Sequence, residues 1–518
     1  MHLSTTRSSA RSRALAVAAA SAVLLGLVSP SLDAAPVNHR RQLRKAVTVD
    51  RIKKHLEVLQ KIALANGGQR ASGFEGYDRS VSYVARKLRR AGYQVHVQEF
   101  PFDAFIQNAP ARLEQVAPNQ VTYQEGEDFL YMEFSGSGDV TADVTNVDLQ
   151  LPPGPDPSSS TSGCEAEDFA NFPAGDIALI QRGFCDFGLK AQNAADAGAV
   201  GVIIFNEGQE GRTDLLNGTL GDFRPGIPVF GSTFELGQTL AGIDNLRLHM
   251  VADTRIKPGT THNVLAQTPG GNRNNIVMAG GHLDSVQEGP GINDNGSGTM
   301  SLLEIALKMA KLDTPHKNRV RFAFWGAEEA GLVGSNYYVA NLAENRPRRL
   351  ANIALYLNFD MVASPNFARF IYDGDGSGFG FAGPPGSDQI EADFERFWDN
   401  AGRAHEPTEF SGRSDYLAFI LNGIASGGLF SGAEGVKTEE QERLYGGIAG
   451  MSYDPCYHQA CDTYFNISER ALSEFSNNMA NIIAKYAMRL PEGVREDSAA
   501  TKSASAKTFT YRGEHAVR

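Results

Sequence analysis

The chain has 518 residues, 42% of them hydrophobic and 21% charged, with 54 Gly, 23 Pro and only 4 Cys. At about 100–200 residues per domain that is material for two to four domains with real cores, which excludes a disordered chain, a collagen-like repeat and a small disulfide-stapled scaffold. A formal charge of −12 excludes a nucleic-acid binder that depends on a broad basic surface.

In chain order, Arg7, Arg11 and Arg13 precede an apolar run from Ala14 to Val28, with small residues at Ala34 and Ala35. Residues 1–35 therefore read as a signal peptide. The run is shorter than the roughly 20 residues of a membrane-spanning helix, so the expected product is exported (extracellular, periplasmic or vacuolar) with no stable membrane anchor. Residues 36–47 read as a basic leader or pro-segment. Residues 48–107 begin the main domain. Ile52, Leu56, Leu59 and Ile62 predict one amphipathic helix over 49–65, and Val81, Val84 and Leu88 a second over 77–91; residues 94–100 alternate as a strand.

Residues 108–254 change character. A turn-rich stretch at 151–163 precedes short β-like runs at 177–180 and 200–205, separated by an Ala-rich helical segment over 189–198, which predicts a self-contained α/β insert. From 255 to 490 strands and helices alternate: strand 276–279 and helix 302–309, strand 320–325 and helix 335–342, strand 353–359, and a closing helix over 470–488. That rhythm predicts an α/β domain with a mixed, mainly parallel sheet flanked by helices, its ligands at the carboxyl ends of the strands. Residues 491–518 read as a mobile or processed tail.

Export permits disulfides. Four cysteines allow three pairings. Proximity favours Cys456–Cys461, leaving Cys164–Cys185; metal binding is the competing use, although no CxxC is present.

Histidines and acids stand where the architecture puts active sites. His282 and Asp284 follow the first of the parallel strands in GGHLDS, and Asp294 lies further on in GINDNGSG. Glu328 and Glu329 follow the next strand in GAEEAG, Asp360 ends the third in NFD, and His458 sits on a later loop in YHQACD. Singly, GAEEAG reads as an exposed helix start and NDNGSG as a turn with a helix cap. At consecutive strand ends they read together as a metal site. Zinc takes imidazole nitrogen and carboxylate oxygen, and two metals about 3.5–4 Å apart repel, so a carboxylate shared between them is the natural remedy. His282, Glu329, Asp360 and His458 offer two terminal ligands per metal, and Asp294 can bridge. Neighbouring side chains in a strand-end turn point apart, which leaves Glu328 free to accept and return a proton. Asp284 suits a carboxylate that fixes the His282 tautomer.

The segments HLDSVQEGPGINDNGSG, FAFWGAEEAGLVGS, LNFDMV and YHQACDT closely resemble the motifs of secreted di-zinc aminopeptidases, the bacterial leucine-type enzymes and the fungal vacuolar aminopeptidase Y. The resemblance spans roughly residues 48–105 and 255–490. It implies a zinc exopeptidase fold and two zinc ions per chain, held by His282, Asp294 as bridge, Glu329, Asp360 and His458, with Glu328 as general base. It further implies that Tyr457 helps stabilise the oxyanion, that Arg413 in GRSDY lies on the substrate side, and that a monomer releases large apolar residues from peptides with a free N-terminus. Residues 175–206 resemble a protease-associated domain, a module that sits over peptidase sites. The rival expectations are a carboxypeptidase or glutaminyl cyclase on the same scaffold, and a receptor-like ectodomain that has lost its ligands.

Overall fold

Four parallel strands, Asn318–Trp325, Asn272–His282, Ile353–Phe359 and Ala425–Phe430, lie side by side in a computed structural model that describes residues 34–494 apart from 157, 210 and 211. Residues 1–33 of the expected signal peptide (1–35) and residues 495–518 of the expected tail (491–518) lie outside the described residues. Antiparallel neighbours extend the sheet to eight strands. Thr254–Gln267 and then Gln94–Gln107 form one margin; Phe370–Tyr372 and Glu406–Thr408 form the other.

The central strands are continuous apolar runs because both faces are covered. Along Asn272–His282, Val277 and Ala279 join the larger core, whereas Ile276 and Met278 join the core on the opposite face, the alternation inherent in a pleated strand. Helices Val49–Leu64, Glu75–Arg90, Gly298–Lys311 and Glu469–Met488 cover the first face with Ile52, Leu56, Leu88, Leu302, Phe475 and Met479. Helices Val333–Asn345 and Tyr416–Ile420 cover the second with Tyr338, Val339, Phe419 and Ile420. The stretch expected as a leader, 36–47, falls within helix Ala34–Ala46 and its C-terminal flank; Leu43 and Val47 are buried in the larger core.

The predicted strand over 94–100 extends to Gln107. It pairs with Thr254–Gln267 in unbroken antiparallel register, from Gln94↔Gln267 to Gln107↔Thr254. The chain between the ends of this ribbon forms a second eight-stranded sheet. Three of its parallel pairings join Gly138–Val147, Ile177–Gln181, Gly201–Phe205 and Val229–Ser232. Departure and return at one end of a ribbon let the insert fold around its own core without breaking the first sheet. That core also takes in Phe100, Phe102 and Phe105 of the ribbon, and Ala327 and Ala330 of the GAEEAG loop. Insert and first sheet therefore share packing at that loop.

Both expected disulfides are formed: Cys164–Cys185 inside the insert and Cys456–Cys461 on the late loop.

Candidate metal centre

Parallel neighbours end at the same edge of a sheet, and here that edge collects the chemistry. His282 pairs in register with Trp325, just before the GAEEAG loop, and Gly280 with Asn358, two residues before Asp360. The backbone bends sharply at these ends. Ala327, Met361 and His458, each a site residue or its neighbour, have φ of 51°, 49° and 55°, a left-handed conformation uncommon for side-chain-bearing residues and concentrated at functional sites.

The five expected ligands and Glu328 converge. His282 Nε2 lies 3.1 Å from Asp294 Oδ1 and 3.2 Å from Asp360 Oδ1. His458 Nε2 lies 3.3 Å from Asp294 Oδ2 and 3.2 Å from Glu329 Oε2. Asp294 thus turns one oxygen toward each imidazole, and each imidazole has one further carboxylate of its own. The adjacent glutamates separate: Glu329 goes to His458, whereas Glu328 Oε2 stands 3.6 Å from His282 Nε2. Donor atoms of His282, Glu328 and Asp360 lie within 4.8 Å of one another, and so do those of His282, Asp294 and Glu329.

These donors fit a metal. Tetrahedral ligands at 2.0–2.2 Å from an ion are about 3.3–3.6 Å apart, close to the nitrogen–oxygen separations observed. The electrostatics agree. Burial works against protonating either imidazole, yet Glu328 and Asp360 hold His282 well above its ordinary range, and Glu329 and Asp294 hold His458 at about 10. Burial likewise works to raise Asp294, but the two imidazoles bring it well below the usual carboxylate range. A pocket that draws protons onto two buried imidazoles is one that favours positive charge at its centre.

Around the donors is a layer of supports, only partly legible in the sequence. Asp284 Oδ1 lies 3.6 Å from His282 Nδ1, and the Glu328 amide reaches the same oxygen at 3.4 Å. The Asp462 carboxylate accepts from the amides of Asn293 and Asp294 at 2.8 and 3.0 Å, fixing the backbone that presents the shared carboxylate. Ser414 donates to Asp360 Oδ2 at 2.7 Å. Arg70, fully buried, donates to the carbonyls of Leu283, Pro290 and Gly291, clamping the loop between His282 and Asp294. Tyr457 Oη accepts from Arg413 Nη2 at 3.3 Å, and Arg413 also donates to Glu434; that cation counters burial and lowers the Glu434 carboxyl to about 2.

The chain matches the family model of peptidase family M28 over residues 263–483 and that of the PA domain over 140–240. It is 50% identical over 483 residues, 93% of this chain and 88% of the relative, to an aminopeptidase of Pseudomonas aeruginosa. The chain belongs to peptidase family M28.

A probable leucine aminopeptidase 2 of Aspergillus oryzae is 41% identical to this M28 chain, covering 87% of it and 86% of the fungal protein. Among solved structures, an aminopeptidase from Aneurinibacillus sp. strain AM-1 superposes with a TM-score of 0.67 at 27% identity, covering 89% of this chain and 98% of that one. A zinc aminopeptidase from Bacillus subtilis shares the fold with a TM-score of 0.60 at 24% identity, over 87% and 99% of the two chains.

The M28 centre faces two clefts. One runs beneath the PA insert, where Phe105, Tyr131 and Glu133 face Glu329 and His458. The other adjoins Asp294 and Asp360 and is walled by Met361, Tyr372, Phe430 and Ala433, with Arg413 and Tyr457 at its polar side. The insert supplies none of the grouped donors, but its side chains line the approach to them.

Proposed function

We propose that this M28 metallo-aminopeptidase holds two zinc ions, one at His282, Asp294 and Asp360, the other at His458, Asp294 and Glu329. The observation that carries the reading is the two-sided placement of Asp294, 3.1 Å from one imidazole and 3.3 Å from the other. Zinc bound there supplies Lewis acidity toward a peptide carbonyl and lowers the pKa of water toward about 7.

The chain's own residues supply the remainder. Glu328 is the base: its distance of 3.6 Å from His282 Nε2 exceeds those of Asp294 and Asp360, which suits a carboxylate held beside the ligands. It accepts the proton of the attacking water and returns it to the leaving amine. Asp284 keeps the His282 Nδ1 proton, so that Nε2 presents its lone pair. Tyr457, accepting from Arg413, keeps its own hydroxyl proton to donate to the tetrahedral oxyanion. The carboxylates at the centre favour a free α-ammonium, and the Met361, Phe430 and Ala433 wall suits a large apolar first side chain. Both disulfides and the N-terminal apolar run support an exported enzyme; among the described residues no helix is long and apolar enough to cross a membrane.

A panel of aminoacyl chromogenic substrates, with free or acetylated amines and with or without chelator, tests this reading. Hydrolysis of free-amine substrates, lost on chelation and restored by zinc, is expected, with leucyl-type substrates preferred. Equal cleavage of acetylated peptides would contradict it. For Tyr457→Phe we expect kcat to fall about 100-fold with little change in KM, the cost of one oxyanion donor; unaltered kcat would remove Tyr457 from the oxyanion.

A further inference from the structure

The amino ends of the central strands, across the sheet from the metal centre, carry a feature that peptide hydrolysis does not use. A cavity of about 870 Å³ there is lined by Arg273, Arg319, Arg321, Arg346 and Arg349, with His96 beside them and no aspartate or glutamate. In a chain whose net charge is −12, this groove is a local reversal of sign.

Strand pleating builds it. Arg319 and Arg321 alternate onto the face of strand Asn318–Trp325 that also presents Ala323 and Trp325. Gln94 and Gln98 reach the groove from the marginal ribbon. Arg346, between helices Val333–Asn345 and Pro347–Ala351, and Arg349, in the second of them, complete the lining.

The positive charge is uncompensated. Among the described residues no carboxylate forms an ion pair with any of the five arginines. Arg321 donates to Tyr338 Oη at 2.5 Å and to Gln267 Oε1 at 2.8 Å, and Arg319 to the Pro269 and Gly270 carbonyls at 3.3 Å. All of these acceptors are neutral. Arg319 is 6% exposed; burial, and then the charges of Arg273 and Arg321, lower its pKa. Gathered like charges repel, and an anion in the groove relieves that repulsion.

We propose that this groove binds an acidic polysaccharide, a chain of hydroxylated sugar rings bearing carboxylate or sulfate groups. The planar donor fork of arginine suits such anions, and the amides of Gln94, Gln98, Asn341 and Asn352 in the same lining suit ring hydroxyls. Other polyanions fit less well. Besides His96, the only ring in the described lining is Tyr338, which is 4% exposed, so there is no aromatic platform on which single-stranded nucleic acid stacks. Leu265, Ile276 and Leu342 belong to the core beneath, which leaves none of them to enter a lipid surface. Along strand Asn318–Trp325, at about 3.3 Å per residue, Arg319 stands about 20 Å from the end that leads to the metal centre. A glycan held here tethers the enzyme without closing its active centre.

The test titrates zinc-loaded enzyme into labelled polygalacturonate and heparin oligosaccharides, followed by fluorescence anisotropy. Labelled dextran and single-stranded DNA are titrated alongside, and phosphatidylserine vesicles are tested by co-sedimentation. Binding of an acidic glycan is expected, weakening as salt rises, with DNA and vesicles bound more weakly and dextran not at all; the two glycans show whether sulfate is required. The double variant Arg346→Ala/Arg349→Ala should weaken glycan binding at least 10-fold, with Tm and kcat on an aminoacyl substrate unchanged. Arg319→Ala should weaken it as well. Arg346 and Arg349 are exposed, so their variant stays informative if Arg319→Ala fails to fold. No binding of either acidic glycan, equal binding of dextran, or DNA or vesicles bound as tightly would overturn the assignment. So would wild-type affinity in the double variant, or inhibition of turnover by saturating glycan.

Discussion

Glu328→Gln is expected to retain both zinc ions and a native melting profile while kcat falls by about 100- to 10,000-fold, the usual worth of general acid–base catalysis. Glu328 is fully buried, and glutamine matches its volume, so packing survives. What disappears is the ability to take a proton. The substitution is decisive because the geometry offers Glu328 two roles: its donor atom groups with those of His282 and Asp360 closely enough to ligate. A ligand converted to an amide lowers metal occupancy; a base converted to an amide lowers turnover alone. Metal analysis and kinetics on the same preparation separate the two. Near-normal kcat would remove Glu328 as the base, and loss of one zinc would make it a ligand.

The second large effect is expected at Asp294. In the proposed two-zinc centre, Asp294→Ala would take one donor from each ion at once and remove the anion that offsets their mutual repulsion. Zinc affinity should fall by more than the roughly 10- to 100-fold that losing an outer support costs, with fewer than two ions retained after dialysis and activity lost in proportion. Without metal, the variant also leaves two imidazoles that have lost their common partner, so a lower Tm is expected. Two tightly held ions after dialysis would refute the shared-ligand role.

Of the expected ligands, His282, Glu329 and Asp360 were legible because each stands at or just after a buried strand, whereas Asp294 and His458, on loops, were legible only through their motifs. The residues 276–279, 320–325 and 353–359 are apolar apart from Arg321 and Asn358, and such strands sit in parallel at the centre of a sheet, which aligns the polar residues after them. The supports were not legible, because they act across long stretches of chain. Arg70 lies in a loop between two helices, and its partners Leu283 and Gly291 are 213 and 221 residues away; no local pattern marks it. Asp462 and Ser414 stood inside the motifs YHQACDT and GRSDY, yet sequence gives no sign that one would hold the Asp294 amide and the other the Asp360 carboxylate.

The strand beginning at Gln94 outruns its sequence pattern for a different reason. Pro101 interrupts the sequence pattern, but in the fold it lies on a strand at the sheet margin, where a missing amide donor is tolerated. Two strands near the beginning of the insert were illegible because they are short. Val121–Tyr123 and Phe129–Tyr131 span three residues each, too few to establish a period of two.

Anomalous diffraction at the zinc edge, on crystals of active protein grown without added metal, tests the central claim most directly. Two peaks about 3.5–4 Å apart, on either side of Asp294, one beside His282 and Asp360 and the other beside His458 and Glu329, are the expected result. A single peak, or none, in fully active protein would contradict a two-zinc centre.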